Sequence, residues 1–238
     1  MIALVSLTAA LSTVAISPAL AAPGYVQVKR MIELSGDRDF IRTDFRVVDS
    51  APSGDFELSF QFPSSGPEDP GGSINVRLSQ EGADNASRLL QVDSYGMFND
   101  VNGPNCEPGE FVSSCRRGGF DWVKLREYRV VLDRGGQNDE GWLWSMKIVD
   151  METDNVTQLI SLRAPYARLA ANRSFTMSQL QPNNCSAINS FGANVQKPDV
   201  HEGTSVSWGS VDKLNEGCDA PTLTAAVDNG TLKLRIAQ

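Results

Sequence analysis

The sequence predicts an all-β protein, an antiparallel β-sandwich of the jelly-roll (concanavalin-like) type that disulfide bonds stabilise. Short segments in which apolar and polar residues alternate recur along the chain, and residues typical of turns separate them. Outside the N-terminal segment, no stretch sustains the 3.6-residue apolar period of an amphipathic helix. Many short strands at near-regular spacing favour a sandwich over other architectures.

In the first half of the chain, the clearest strand is residues 56–62, where four apolar residues alternate with polar ones until Pro63 ends the pattern. The following residues, 64–73, hold two prolines and three glycines and are predicted to form a loop. Shorter alternating or apolar segments predict further strands at residues 25–28, 40–48, 74–78 and 89–92. This half therefore reads as an antiparallel sheet with one polar face.

In the second half, Trp142, Trp144, Met146 and Ile148 occupy every second position, so a strand over residues 142–149 has one heavy apolar face. Its predicted neighbours are residues 128–132 and 156–162. Further strands are expected over residues 175–180 and 205–211, then a C-terminal hairpin of residues 223–227 and 232–236. One short helix is expected within residues 162–171.

The N-terminal 21 residues are predicted to be a secretory signal peptide, because they are apolar, rich in small residues and end in Ala-Leu-Ala. No Lys or Arg precedes the apolar segment, unlike most such signals. A transmembrane anchor is the alternative, but Ser12, Thr13, Ser17 and Pro18 dilute its hydrophobicity. Residues 22–238 are predicted to form a single β-sandwich domain without a membrane span.

The charge balance bears on the class of partner. The formal net charge is −8 and the isoelectric point is about 4.7. Binding to nucleic acid requires clusters of Lys and Arg that neutralise phosphates. The composition therefore argues against a nucleic-acid partner.

Four cysteines remain after the predicted signal, and export makes their pairing expected. Three pairings are possible. We favour Cys106 with Cys115, which closes a short loop rich in Gly and Pro, and Cys185 with Cys218. The cysteine spacings do not match a zinc site.

One set of residues between positions 115 and 192 has a recognisable spacing: Cys115, Phe120, Trp122, Tyr128, Gly141, Trp142, Trp144, Asp150, Thr153, Pro165, Phe175, Cys185, Phe191 and Gly192. This spacing resembles that of a domain of unknown function found in secreted microbial proteins. The resemblance covers about residues 74–192. It implies an extracellular β-sandwich, sometimes attached to carbohydrate-active modules, and it supplies no catalytic residue. The chain departs from that family between Trp122 and Tyr128, where the family usually has a glycine.

Candidate catalytic groups are few. His201 is the only histidine and lies in a polar loop, which disfavours hydrolases that need a histidine and metal sites built on imidazole. Asp150, Glu152 and Asp154 would share one face of a continuing strand and so supply the two acids of a glycosidase. The same segment is where the predicted hairpin needs a turn, and we favour the turn.

No cofactor is predicted, although calcium is the alternative use for acidic residues in glycine-rich loops. The candidate ligands are the pair Glu68 and Asp69 and the pair Asp139 and Glu140. Neither loop has an alternating pattern of ligands. Solvated acidic loops are therefore the favoured interpretation.

The candidate ligand-binding residues are Trp122, Tyr128, Arg116 and Arg117. Aromatic rings stack on the C–H faces of sugars, and Trp122 is the tryptophan for which partial exposure is expected. Arg116 and Arg117 are candidates for binding acidic sugars. The predicted function is a secreted, non-catalytic module that binds an extracellular glycan; the alternatives are a carboxylate-dependent glycan-cleaving enzyme and a structural or adhesive surface protein.

Overall fold

Sixteen β-strands form the regular structure of the residues that this computed structural model describes. The described residues are 24–36, 38–49, 54–64, 71–81, 87–96, 98–103, 105–107, 112–117, 122–181, 190–216 and 222–237. The strands are β1 (Gly24–Ser35), β2 (Phe40–Asp49), β3 (Gly54–Phe62), β4 (Gly72–Glu81), β5 (Ser87–Tyr95), β6 (Asn99–Asn102), β7 (Cys106–Glu107), β8 (Val112–Arg117), β9 (Tyr128–Asn138), β10 (Gly141–Asp150), β11 (Asn155–Ala164), β12 (Asn172–Gln181), β13 (Phe191–Val195), β14 (Ser205–Glu216), β15 (Thr222–Asp228) and β16 (Thr231–Ala237).

The strands form two eight-stranded antiparallel sheets that pack as a sandwich. The first sheet has the order β14-β1-β12-β3-β4-β5-β8-β7, and the second has the order β15-β16-β13-β2-β9-β10-β11-β6. The predicted all-β, antiparallel sandwich is thereby confirmed. The chain passes repeatedly between the sheets, which fits the jelly-roll type that the sequence predicts.

The alternation in the sequence determines which side chains fill the core. In β3, Phe56, Leu58, Phe60 and Phe62 are each at most 4% exposed, while the residues between them lie on the outer face of the first sheet. Strand β10 does the same from the second sheet, with Trp144, Met146 and Ile148 fully buried. Trp142 is only partly buried, and the Arg134 guanidinium lies 4.5 Å from its ring centroid.

Two hairpins lie where the sequence predicts them. Strands β10 and β11 pair from Trp142–Ala164 to Asp150–Asn155. At the C-terminal hairpin, Asn229 and Gly230 connect β15 to β16 with φ values of 49° and 79°. Positive φ at both turn residues is the conformation that Asn-Gly favours and that matches the twist of paired strands.

The predicted helix within residues 162–171 is wrong. Strand β11 continues to Ala164, and Pro165, which lacks a backbone N–H, follows it. The later amides bond to other elements rather than within a helix: Leu169 N–H donates to the Arg38 carbonyl and Ala170 N–H donates to the Gln61 carbonyl, both at 2.8 Å. The apolar residues of this segment, including the fully buried Leu169, instead close one end of the core.

Other differences concern strand lengths. The strand that the sequence predicts over residues 128–132 is longer in the structure, where β9 continues to Asn138, so the turn before β10 is only Asp139 and Glu140. Strands β6, β7, β8 and β13 are not predicted from the sequence. All four are short: β7 has two residues, β6 has four, β13 has five and β8 has six.

The predicted disulfide between Cys106 and Cys115 is present, and it connects β8 to the edge strand β7. Cys185 and Cys218 lie outside the described residues, so their pairing stays a prediction. The predicted signal peptide, residues 1–21, also lies outside them. Within the described parts of the chain, no helix is long and apolar enough to cross a membrane.

Candidate functional site

Trp122 and Tyr128 are core residues, each 1% exposed, so the expected partial exposure of Trp122 is wrong. The indole N–H of Trp122 donates to the Ser79 carbonyl at 3.2 Å, and the Arg88 guanidinium lies 4.9 Å from the ring centroid. The Tyr128 hydroxyl accepts a hydrogen bond from the Val123 amide at 2.7 Å, and burial raises the pKa of Tyr128. Neither ring presents a free face to a sugar.

Arg116 and Arg117 lie in strand β8. Their backbones pair with Gln91 and Leu90 of β5, respectively. The register therefore places Arg116 in the row of residues that also contains Gln91.

The acidic segment after β10 forms the hairpin turn, as the favoured interpretation predicts. Glu152 N–H donates to an Asp150 oxygen at 3.0 Å, and Asp154 adopts a φ of 56°. The Arg126 guanidinium bridges Asp150 at 2.8 Å and Glu152 at 3.1 Å. These carboxylates fix the turn and do not line a cleft in the described structure.

His201 lies in the exposed loop before β14. Its Nδ1 is 3.0 Å from an Asp39 oxygen, and its ring stacks on Phe40 with centroids 4.6 Å apart. Among the calcium candidates, Glu140 at the β9–β10 turn lies 3.7 Å from the Arg163 guanidinium, whereas Glu68 and Asp69 lie outside the described residues. Within the described ranges, no group of three His, Cys, Asp or Glu side chains is arranged to hold a metal ion.

The outer face of the first sheet carries a compact polar cluster on the consecutive strands β3, β4 and β5. We call it the polar grid and define it by two rows of directly opposed residues. The rows are Glu57–Arg77–Gln91 and Ser59–Asn75–Asp93. Neighbouring strands lie about 4.8 Å apart, so all six side chains project from one small area.

Hydrogen bonds within the polar grid fix its acceptor groups. The Gln91 amide nitrogen lies 2.8 Å and 2.9 Å from the two oxygens of Asp93, and the Ser59 hydroxyl donates to the Asn75 side-chain oxygen at 2.8 Å. Arg77 lies 3.5 Å from Glu57. Asp93 is only 4% exposed, whereas the side chains of Arg77 and Glu57 are 35% and 23% exposed. The grid therefore has a fixed floor and accessible charged groups.

The charged groups at and around the polar grid are mostly carboxylates, which accept hydrogen bonds. Burial lowers the pKa of Arg77, but the surrounding carboxylates of Asp55, Glu57 and Asp93 outweigh it, and the pKa is raised. Tyr95, at the end of β5, is 37% exposed, and burial followed by the charge of Asp93 raises its pKa. One guanidinium thus stands among several carboxylates, beside an exposed neutral phenol.

The sequence contains a signal for this site. Glu57 and Ser59 are two of the three polar positions of the clearest alternating strand, and the next two strands follow it along the chain. Consecutive antiparallel strands usually pair, which brings their polar faces together. The exact register, and with it the opposition of Glu57 and Arg77, comes only from the structure.

Comparisons with known proteins concern the fold. No family model matches the chain, and no curated protein matches its sequence. Among solved structures, scytalidoglutamic peptidase with a peptide-based transition state analogue is 9% identical, with 87% of this chain and 96% of that chain covered and a TM-score of 0.50. SCP-B, a member of the eqolisin family of peptidases in complex with a tripeptide, is 8% identical with a TM-score of 0.47 and coverages of 87% and 96%. The alginate lyase Aly36B with an alginate trisaccharide is 13% identical with a TM-score of 0.28 and coverages of 63% and 73%. The first likeness shows a shared two-sheet sandwich and nothing more specific.

Proposed function

We propose that the protein is a secreted, non-catalytic β-sandwich module that binds an extracellular glycan through the polar grid. The observation that carries the proposal is the pair of accessible charged groups, Glu57 and Arg77, beside the fixed floor that Asp93 and Gln91 form on the outer face of the first sheet. Sugars present many hydroxyl donors, and carboxylate and amide oxygens are strong acceptors for them.

The surroundings of the grid support a polymer lying across the strands. Ser174 and Thr176 of β12 are opposite Ser59 and Glu57, and both are small and less than 9% exposed. Because these two side chains are short, the charged side chains of the grid extend further from the sheet than they do. At the other side, Tyr95 offers an exposed aromatic ring, which suits the apolar face of a sugar.

The proposed site differs from the one that the sequence predicts around Trp122 and Tyr128. The buried Trp122 and Tyr128 are replaced by Tyr95 as the stacking aromatic, while Arg116 stays a candidate because its backbone lies opposite Gln91. The acceptor-rich grid favours neutral or basic sugars. The resemblance to secreted microbial domains and the predicted signal peptide support an extracellular ligand.

A glycan array probed with residues 22–238 tests the proposal, followed by titration of the best ligand. We expect Tyr95→Ala and Glu57→Gln each to weaken binding about tenfold, since each removes one direct contact. Glu33→Gln is the matched control, because Glu33 is an exposed carboxylate on β1 of the same sheet. Binding that survives both grid variants, or an array without any ligand, contradicts the proposal.

The second candidate is a carboxylate-dependent glycan-cleaving enzyme that uses the same face. Glu57 and Asp93 lie on the same face with only β4 between their strands, and glycosidases act with two carboxylates on either side of the scissile bond. Reducing-sugar release, measured on the array ligands, separates the candidates. Release that Glu57→Gln abolishes favours the enzyme. A parallel peptide-cleavage assay is warranted because a peptidase shares the fold. Silence in all assays favours a structural or adhesive protein.

A further inference from the structure

A surface cavity of about 330 Å³ lies on the outer face of the second sheet, on the opposite side of the sandwich from the polar grid. Its floor is a row of directly opposed residues on three neighbouring strands: Arg46 of β2, Asn194 of β13 and Lys233 of β16. The volume is at the lower end of the range for ligand pockets and suits one small molecule.

The amide side chains of the cavity present their nitrogen atoms. Arg235 donates to the Asn194 side-chain oxygen at 2.8 Å, and since a guanidinium only donates, this contact fixes which end of the amide faces it. Thr231 likewise donates to the Gln196 side-chain oxygen at 2.9 Å. Among the described residues, neither amide nitrogen has a hydrogen-bond partner, so both remain as donors.

The charged groups differ in how far they are already paired. Lys233 lies 2.6 Å from Asp228, which neutralises it. Arg46 is exposed at the cavity, and within the described ranges its guanidinium makes no hydrogen bond or ion pair. The cavity therefore combines one uncommitted cation with two uncommitted amide donors. Glu127, an exposed acceptor, lies at the same cavity.

We propose that this cavity binds one acidic sugar residue, a carboxylate that also carries hydroxyl groups. The ligand's carboxylate accepts from Arg46 and from the Asn194 amide nitrogen, and a hydroxyl donates to Glu127. Charge-assisted hydrogen bonds of this kind are the strong contacts in small polar sites. The neutral sugar with the same ring lacks the group that Arg46 recognises.

Titration of the protein with D-galacturonate, followed by NMR of the Asn194 and Gln196 side-chain amide signals, tests the site directly. We expect saturable shifts of both signals and binding at least about tenfold weaker for D-galactose, which differs in lacking the carboxylate. Equal binding of the two sugars, or no saturable shift with galacturonate, overturns the proposal. A galacturonate trimer extends the test: tighter binding than the monomer indicates a chain end as the natural ligand and equal binding indicates the free acid, and both outcomes support the site.

Two variants and a matched control locate the site. Arg46→Gln is expected to weaken galacturonate binding about tenfold. Asn194→Asp keeps the acceptor for Arg235 but replaces the donor with a negative charge, and we expect it to abolish binding. Arg42→Gln, on the same strand and face but in an ion pair with Asp199, should leave affinity within about twofold. Retained affinity in a folded Arg46→Gln variant overturns the proposal, whatever the polar grid binds.

Discussion

The outer faces of the two sheets differ in the groups that they leave for a ligand. On the first sheet, the polar grid holds more carboxylates than cations. On the second sheet, acidic residues form ion pairs with neighbouring cations: Arg129 lies 2.7 Å from Asp44 and Lys124 lies 2.7 Å from Asp49. Among the described residues that line the cavity of the second sheet, Arg46 is a cation without an ion pair.

This difference shows that net charge is a poor guide to the ligand. The chain is acidic overall, with a formal charge of −8, yet the cavity of the second sheet is rich in donors. What a face can bind depends on which groups remain after its own ion pairs and hydrogen bonds have formed. Four sets of substitutions, taken from the largest expected effect to the smallest, test which contacts stabilise each face.

The first concerns the disulfide at the edge of the first sheet, beside the polar grid. Cys106→Ser combined with Cys115→Ser opens a short covalent loop. Because the unfolded chain then gains conformational entropy, we expect the free energy of unfolding to fall by about 2–3 kcal/mol. Urea denaturation of the variant and the wild type measures the loss. The double serine variant leaves the other two cysteines untouched, which reduction would not. An unchanged midpoint would show that the bond does not stabilise the sheet.

The second concerns the buried acceptor of the polar grid. Asp93→Ala leaves the Gln91 amide without its carboxylate partner on a nearly buried surface, and we expect a loss of about 2 kcal/mol in unfolding free energy. Asp133→Ala, an exposed carboxylate on the outer face of the second sheet, is the matched control and should change stability by less than about 0.5 kcal/mol. Equal losses would mean that Asp93 is no better fixed than a surface residue.

Much of the first sheet is predictable from the sequence, because its central strands alternate cleanly and follow one another along the chain. Glu57 and Ser59 are recognisable as outer-face residues from the pattern in residues 56–62 alone. The buried Trp122 is not predictable in the same way. It lies outside any strand, and its burial depends on contacts with Arg88 and Ser79, which are distant in sequence.

The cavity of the second sheet is not predictable, because its strands are far apart in the sequence. Arg46 and Lys233 are neighbours only because β13 lies between β2 and β16. Strand β13 has five residues with Gly192 and Asn194 among them, too few apolar positions to mark a strand. The helix prediction is wrong for a related reason. Tyr166 and Leu169 are three positions apart, as on one face of a helix, but here both are buried in a loop at the end of the sandwich.

The third set of substitutions measures how strongly the ion pairs of the second sheet bind its acidic side chains. Arg129 contacts both oxygens of Asp44, at 2.7 Å and 2.8 Å, and both side chains are mostly buried. A double-mutant cycle of Arg129→Gln and Asp44→Asn should give a coupling of about 1 kcal/mol. The same cycle for Arg42 and Asp199, whose side chains are 40% and 55% exposed, should give less than about 0.5 kcal/mol. Equal couplings would remove the distinction between fixed and solvated pairs.

The smallest effect concerns pH and the turn between β10 and β11. Burial would raise the pKa of Asp150, but the hydrogen bond from the Glu152 amide and the ion pair with Arg126 outweigh it and hold the pKa below its ordinary value of 3.8. A carboxylate with a lowered pKa in the folded state stabilises the protein above pH 3.8, and this contribution is lost as the pH falls through the folded-state pKa. Asp150→Asn should therefore lower the Tm at neutral pH, and the gap from the wild type should close in acid. Asp154→Asn, at the exposed position with a φ of 56°, serves as the control with a constant Tm difference, since Asn tolerates that conformation. A gap for Asp150→Asn that persists unchanged in acid would show that the carboxylate acts through its shape and not its charge.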